Sequence, residues 1–339
     1  MLAGQERPRA AFLAAMAGGA LHHAWLLAGP RGIGKAAFAQ AAALRLLADG
    51  AGEPLPPGLD VPAGSTRSLA EAGSHPDLRI LQRRAKKKKG DESDEDEVAP
   101  GPVPEADLAR NIDVGQVRSL LPLFGKTPSL SSRRVIVVDA ADDLEASAAN
   151  ALLKSLEEPP AGTIFLLVSH QPGRLLPTIR SRCRLLRFDP LDDAAMAGVL
   201  ADELPDAGGA EIAALLRAGE GSPGRALGYA GLDLAALDAA LATIAADGDP
   251  TNAHRLKLAR DLGGRGAELR YAAFLERAPA FIAEAARGRA GTGLRGALDA
   301  YDAARSVASA ARPLSMAPDA TVIELSGLVA RLASPGRMF

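Results

Sequence analysis

Five short runs rich in Leu, Ile, Val and Phe punctuate the first 190 residues: Ala24–Ala28, Leu78–Leu81, Arg134–Val138, Thr163–Ser169 and Arg184–Phe188. Those at 135–138 and 164–168 show no polar alternation. A strand that is apolar on both faces needs cover on both faces, as in a parallel sheet between helices. The segments between the runs supply helical patterns. Asp113 with Gln116 three residues later predicts a capped helix carrying Val117, Leu120, Leu121 and Phe124. Leu144, Ala148, Leu152 and Leu156 form an i, i+4 stripe that ends at Pro159-Pro160. Strands alternating with helices predict an α/β domain over 1–190.

That domain carries an insertion of different composition. Six of the seven residues from Arg83 to Lys89 are basic; Asp91, Glu92, Asp94, Glu95, Asp96 and Glu97 follow, then Pro100, Pro102 and Pro104. Blocks of like charge without apolar residues cannot offset the entropy of ordering, so residues 84–108 are expected to be a disordered loop. Beyond Pro190 the pattern turns helical. Ala194–Glu203, Ala210–Ala218 and a Gly-Ser-Pro-Gly turn opening on Arg225 predict a small helical domain over 191–232. Residues 233–339 predict four or five Ala/Leu helices, with breaks at 247–250, Gly263-Gly264, Gly291–Gly293 and Pro313. This last third has no cluster of catalytic residue types and fits an assembly surface.

Composition narrows the function classes. Among 339 residues, 39 Lys and Arg against 41 Asp and Glu give a net charge of −2, so nucleic acid is not held by bulk positive charge. A single cysteine excludes a disulfide framework and a cysteine-rich zinc site; no metal or zinc is expected. No apolar run approaches the ~20 residues of a membrane span, and no signal-peptide pattern opens the chain; no membrane partner and a cytoplasmic location are expected.

The chemistry-bearing motifs lie in the first domain. Directly after the first strand comes Gly29-Pro30-Arg31-Gly32-Ile33-Gly34-Lys35-Ala36, followed by an apolar helix. The spacing is that of a phosphate-binding loop: glycines let backbone N–H groups wrap a phosphate, and Lys35 reaches the outer phosphates. The hydroxyl that would hold Mg²⁺ after the lysine is replaced by Ala36. Val135–Val138 runs into Asp139, a metal-side carboxylate, but the next residue is Ala140, not a second acid. Gly29, Gly34, Lys35 and Asp139 thus form a degenerate nucleotide site, with ATP binding left open and no cofactor required. Asp142 and Asp143 fit a cap on the following helix. Thr178-Ile179-Arg180-Ser181-Arg182-Cys183-Arg184 precedes the last strand; an arginine there can reach a neighbouring subunit or remain a surface charge. Cys183 reads as a buried structural residue.

With these motifs in hand, the stretch Asp139–Phe188 resembles the clamp-loader branch of the AAA+ proteins. The resemblance rests on Ala148-Ala149-Asn150-Ala151-Leu152-Leu153-Lys154-Ser155-Leu156-Glu157-Glu158-Pro159-Pro160 followed by Ser181-Arg182-Cys183. It runs from Gln5 to about Ala230 with specific motifs and continues as helical architecture. It implies an α/β P-loop AAA+ domain, a helical lid and an all-α collar. Departures from the motor subunit of that branch, tau/gamma, are Ala36, Asp139-Ala140, His170 after Ser169, and Gly221-Ser222-Pro223-Gly224 with Arg225 one place late. These imply a stator in a bacterial DNA polymerase III clamp loader. Its implied partners are the tau/gamma and delta subunits, with the sliding clamp and primer-template DNA reached through the complex. Arg182 would serve in trans the ATP site of the adjacent motor subunit, as an arginine finger. Asn150 and Lys154, one turn apart, are DNA-facing candidates. An autonomous AAA+ ATPase and a nucleotide-independent scaffold are the alternatives; no constellation resembles a polymerase site.

Overall fold

In the computed structural model, which describes residues 4–19, 21–86, 107–311 and 314–333, the chain divides into two compact units, Met1–Ala195 and Met196–Phe339. The first contains five strands, β1 (Ala24–Ala28), β2 (Leu78–Gln82), β3 (Arg134–Asp139), β4 (Thr163–Ser169) and β5 (Arg184–Arg187). They form one sheet in the order β2-β3-β4-β1-β5, and each neighbouring pair is parallel. The helices are α1 (Glu6–Ala17), α2 (Lys35–Gly50), α3 (Ser65–Glu71), α4 (Val114–Arg118), α5 (Leu121–Phe124), α6 (Ala146–Glu157) and α7 (Pro177–Ser181).

The non-alternating strands are buried on both faces. Trp25 and Leu27 of β1 join Val135, Val137, Leu166 and Val168 in a core with Phe12 of α1 and Phe38, Leu46 and Leu47 of α2. Ala24 and Leu26 point the other way, to a second core with Ile136, Val138, Phe165 and Leu167 under Ala148, Leu152 and Leu156 of α6. The period of two along each strand divides its side chains between these layers. The scarce aromatics are concentrated in the first layer: Phe12 meets Trp25 edge-on at 5.1 Å and Phe38 at 5.6 Å, and Phe38 meets Phe188 at 5.1 Å. Each fully buried ring contributes about 2–3 kcal/mol, so this cluster fixes α2 and the loop before it.

Two local expectations change. The helix expected to carry Val117 through Phe124 is two helices, because Pro122 in the first turn of α5 has no N–H to continue the ladder. Asp113 does cap α4, accepting from the Gln116 N–H at 3.0 Å. The ends of the expected 84–108 loop are paired rather than open. Ala85 and Leu108 form an antiparallel bridge, flanked by Lys86 N–H to Asp107 O and Ala109 N–H to Arg84 O, both 2.7 Å. The acidic block and half of the basic residues before it lie in 87–106, outside the described residues.

After α8 (Asp193–Glu203) the chain is helical: α9 (Gly209–Gly219), α10 (Pro223–Leu227), α11 (Leu234–Asp247), α12 (Ala253–Gly263), α13 (Glu268–Arg287), α14 (Gly291–Ala311) and α15 (Pro318–Ala330). No strand occurs among the described residues there. Within the second unit α13 packs on α14 and α12 on α15. Arg277 of α13, 4% exposed, binds Asp238 of α11 at 2.5 Å and Glu284 at 2.7 Å. These two carboxylates satisfy a buried cation that would otherwise be costly.

Candidate functional site

The phosphate-loop motif forms a turn between β1 and α2. Gly29 is required by close approach: a Cβ there would sit 2.2 Å from the Phe188 carbonyl oxygen. Gly34 caps α2 with φ at +94°, where a side chain would be strained. Gln5, 3% exposed, ties this turn to the exit of β5, its Nε2 donating to the carbonyls of Ile33 (3.3 Å) and Asp189 (3.0 Å).

Lys35 is 2% exposed, and its ammonium donates to the carbonyl oxygens of Gly29 (2.7 Å) and Pro30. Burial pushes its pKa down to about 8, against the opposing pull of Asp139 and then Asp142, with Arg31 adding to the depression. Asp139, at the carboxyl end of β3, has its pKa raised by burial; Lys35 opposes that rise. The sheet register sets Ala28 of β1 beside Ser169 of β4 and Val138 of β3 beside Leu167, so these groups meet at the carboxyl ends of the strands. In open parallel sheets that edge is where ligands bind.

Asp142 does not cap α6. Its carboxylate accepts from Ser169 Oγ (3.0 Å), His170 N–H (2.6 Å) and Gln171 N–H (3.0 Å), so it ties the exit of β4 to the turn after β3. The N-cap position of α6 is Glu145, without a side-chain cap, and Asp143 pairs instead with Arg83 at 3.1 Å. The local spacing offered a cap, but the parallel strand neighbour offered two N–H groups and a hydroxyl. His170 is held neutral, its pKa pushed down to about 4 by burial first and Lys35 second, and its Nδ1 has no hydrogen-bond partner.

Arg182 lies at the other end of the sheet. Arg184, two residues later, is level with Trp25 of β1, whereas Ala28, just before the turn, is level with Arg187. Three residue steps along parallel strands separate the two levels, about 10 Å. The structure therefore does not bring Arg182 to its own Lys35 and Asp139. Arg182 follows the last residue of α7; Nη1 donates to Thr178 O at 2.9 Å and Nη2 pairs with Glu157 Oε1 at 2.9 Å. Its side chain keeps 35% exposure. Sequence reasoning missed Glu157 as a partner, although it falls within the motif that carried the resemblance. Cys183 packs against the second core, and burial pushes its thiol up to about 12, which leaves it unreactive near neutral pH. Arg184 stacks over Trp25, 5.1 Å from the ring centroid.

Asn150 and Lys154 are exposed on α6. In the second unit Arg225 is engaged locally: Nη1 donates to Glu220 at 2.6 Å, Nε to the Tyr229 hydroxyl at 3.4 Å, and Tyr229 in turn donates to Glu276. Among the described residues no group of three or more His, Cys, Asp or Glu side chains is placed to hold a metal ion, and no helix is long and apolar enough to cross a membrane.

A family model described as "DNA polymerase III, delta subunit" matches residues 4–192. The chain belongs to that family. Among similar proteins, the DNA polymerase III subunit delta′ of Pseudomonas aeruginosa is 40% identical over 202 residues, which are 59% of this chain and 53% of that protein. The subunit delta′ of Bacillus subtilis is 34% identical over 187 residues, 54% of this chain and 47% of that protein. The subunit gamma/tau of Mycobacterium tuberculosis is 31% identical over 226 residues, 65% of this chain and 34% of that protein. The chain spans about half the length of the curated delta′ relatives it matches. The polymerase III delta family match falls wholly in the first unit and contains the phosphate loop, Asp139, α6 and Arg182. The α/β domain with its parallel sheet and the helical region after it are the fold expected from the sequence.

Proposed function

We propose that this chain is the delta′ stator of a bacterial DNA polymerase III clamp loader, acting in DNA replication. In this reading its C-terminal helices join a collar with the tau/gamma and delta subunits, residues 191–232 form the lid, and Arg182 enters the ATP site of the adjacent tau/gamma motor. The observation that carries the reading is the separation of the two motifs. Arg182 precedes the amino end of β5, whose first residue lies some 10 Å down the sheet from the level of Ala28 before the phosphate loop, and its side chain keeps one-third exposure; both support a role at a neighbour's phosphoryl group rather than at its own loop. There it would neutralise charge developing on the transferring phosphoryl. Nucleotide binding at the motor orders the ring for clamp opening by delta, and hydrolysis after primer-template DNA enters releases the clamp onto DNA. Asn150 and Lys154 face that DNA through exposed positions on α6.

The test is Arg182→Ala in a reconstituted clamp loader with clamp and primed DNA. Assembly is expected to be unchanged and hydrolysis at the served motor site to fall on the order of 10³-fold. Unchanged DNA-stimulated turnover would sink the trans role.

The chain's own nucleotide site is assigned no hydrolytic role. Ala36 offers no hydroxyl for Mg²⁺, Ala140 no acid for water, and the Lys35 ammonium is bound to its own loop carbonyls. The isolated chain is therefore expected to turn over no ATP, and calorimetric titration with Mg-ATP to give little heat. Turnover abolished by Lys35→Ala would instead establish the autonomous ATPase.

A further inference from the structure

We propose that Glu157 is a positioning residue that aims Arg182, an inference that rests on the trans-arginine reading above. Glu157 ends α6 and Arg182 follows α7, so their 2.9 Å ion pair joins the end of α6 to the turn that leads into the last strand. Together with the Thr178 carbonyl, Glu157 gives each terminal nitrogen of the guanidinium one acceptor within this chain. The fork is thereby fixed at two points, while its remaining N–H groups and about a third of its surface stay open to a partner.

An arginine has a long, rotatable stem, and a free one loses that freedom only when it docks on a phosphate. Strapping it beforehand moves the ordering out of the reaction step, the condition for electrostatic preorganisation. The carboxylate is suited to this task because the pair stays half-exposed: it orients without burying the charge or holding it too tightly to be shared. Glu157 also lies on the same stripe of α6 as Asn150 and Lys154, at i, i+4 and i+7, and all three are exposed. The helix that presents the DNA-facing candidates therefore also carries the residue that aims the arginine.

A half-exposed pair of this kind supports a modest effect. In the full chain assembled with tau/gamma, delta, sliding clamp and primer-template DNA, Glu157→Gln is expected to lower kcat for ATP hydrolysis about two- to fivefold. KM for ATP should not move, because the arginine acts on the transition state. Glu157→Asp should recover part of the loss. In an Arg182→Ala background Glu157→Gln should have no further effect, since the residue acts only through the arginine. A Glu157→Gln rate equal to or above wild type, or an additive loss in the double variant, overturns the assignment. If Arg182→Ala alone leaves turnover unchanged, the trans-arginine reading itself fails and takes this inference with it.

Discussion

At the carboxyl ends of the strands Lys35 is 2% exposed and spends its hydrogen bonds on its own loop, whereas at the amino ends Arg182 keeps 35% of its side chain in solvent. Both cations sit beside carboxylates in the same domain. At the Lys35 end the named groups are engaged within the domain: Gln5 ties the loop to β5, Asp142 ties the exit of β4, and His170 is half-buried and neutral. At the Arg182 end two contacts hold the charge in place without covering it. The difference teaches that a motif's shape and its chemistry can separate. The phosphate loop keeps its turn because Gly29 and the aromatic cluster under α2 need it for packing. The arginine has no comparable packing role and stays accessible.

The comparison breaks first at its largest predicted effect. Arg182→Ala should lower hydrolysis at the partner's site on the order of 10³-fold while leaving this chain's melting temperature nearly unchanged; a large stability loss would mean that end is structural too. Next, Asp142→Ala removes a carboxylate that accepts three hydrogen bonds. It should destabilise the first unit by about 2–3 kcal/mol in denaturant titrations, leaving clamp-loader turnover near wild type wherever the complex still forms. A loss of turnover in an intact complex would give the Lys35 end a direct part in the reaction.

The smallest effect is a pH slope. Burial holds the Lys35 pKa at about 8 in the folded chain, against an ordinary value of 10.5. Between these values the unfolded chain binds more protons, so stability rises as pH goes from about 8 to 10.5. Below about 8 both states are protonated and the slope disappears. Lys35→Met should remove this contribution, so its stability relative to wild type should be highest near pH 7.5 and decline towards pH 10. A pH-independent difference between the two would place the ammonium in solvent and weaken the contrast with Arg182.

Much of this was legible in the sequence. All five strands fall within a residue or so of their apolar runs; in β1, β3 and β4 burial on both faces leaves an uninterrupted signal, whereas the edge strands β2 and β5 are only partly buried. The phosphate loop is chain-local and readable for the same reason. What escaped was tertiary. Asp142 looked like a cap because capping is decided within a few residues, but its partners lie 27 to 29 residues on, brought near by the β3–β4 pairing. The Glu157–Arg182 pair depends likewise on where α6 ends relative to β5, which no spacing rule encodes. Pro122 was a readable signal that the apolar stripe of 117–124 outweighed.

The bridge between Ala85 and Leu108 has one more consequence. Two paired residues hold the chain positions beside them close together, and the entropy of joining two such points grows only slowly with the length of the connection. The pairing thus marks a point for engineering: a shorter turn, a reporter or an affinity handle grafted between Ala85 and Leu108 is expected to leave the sheet register, the phosphate loop and the arginine undisturbed.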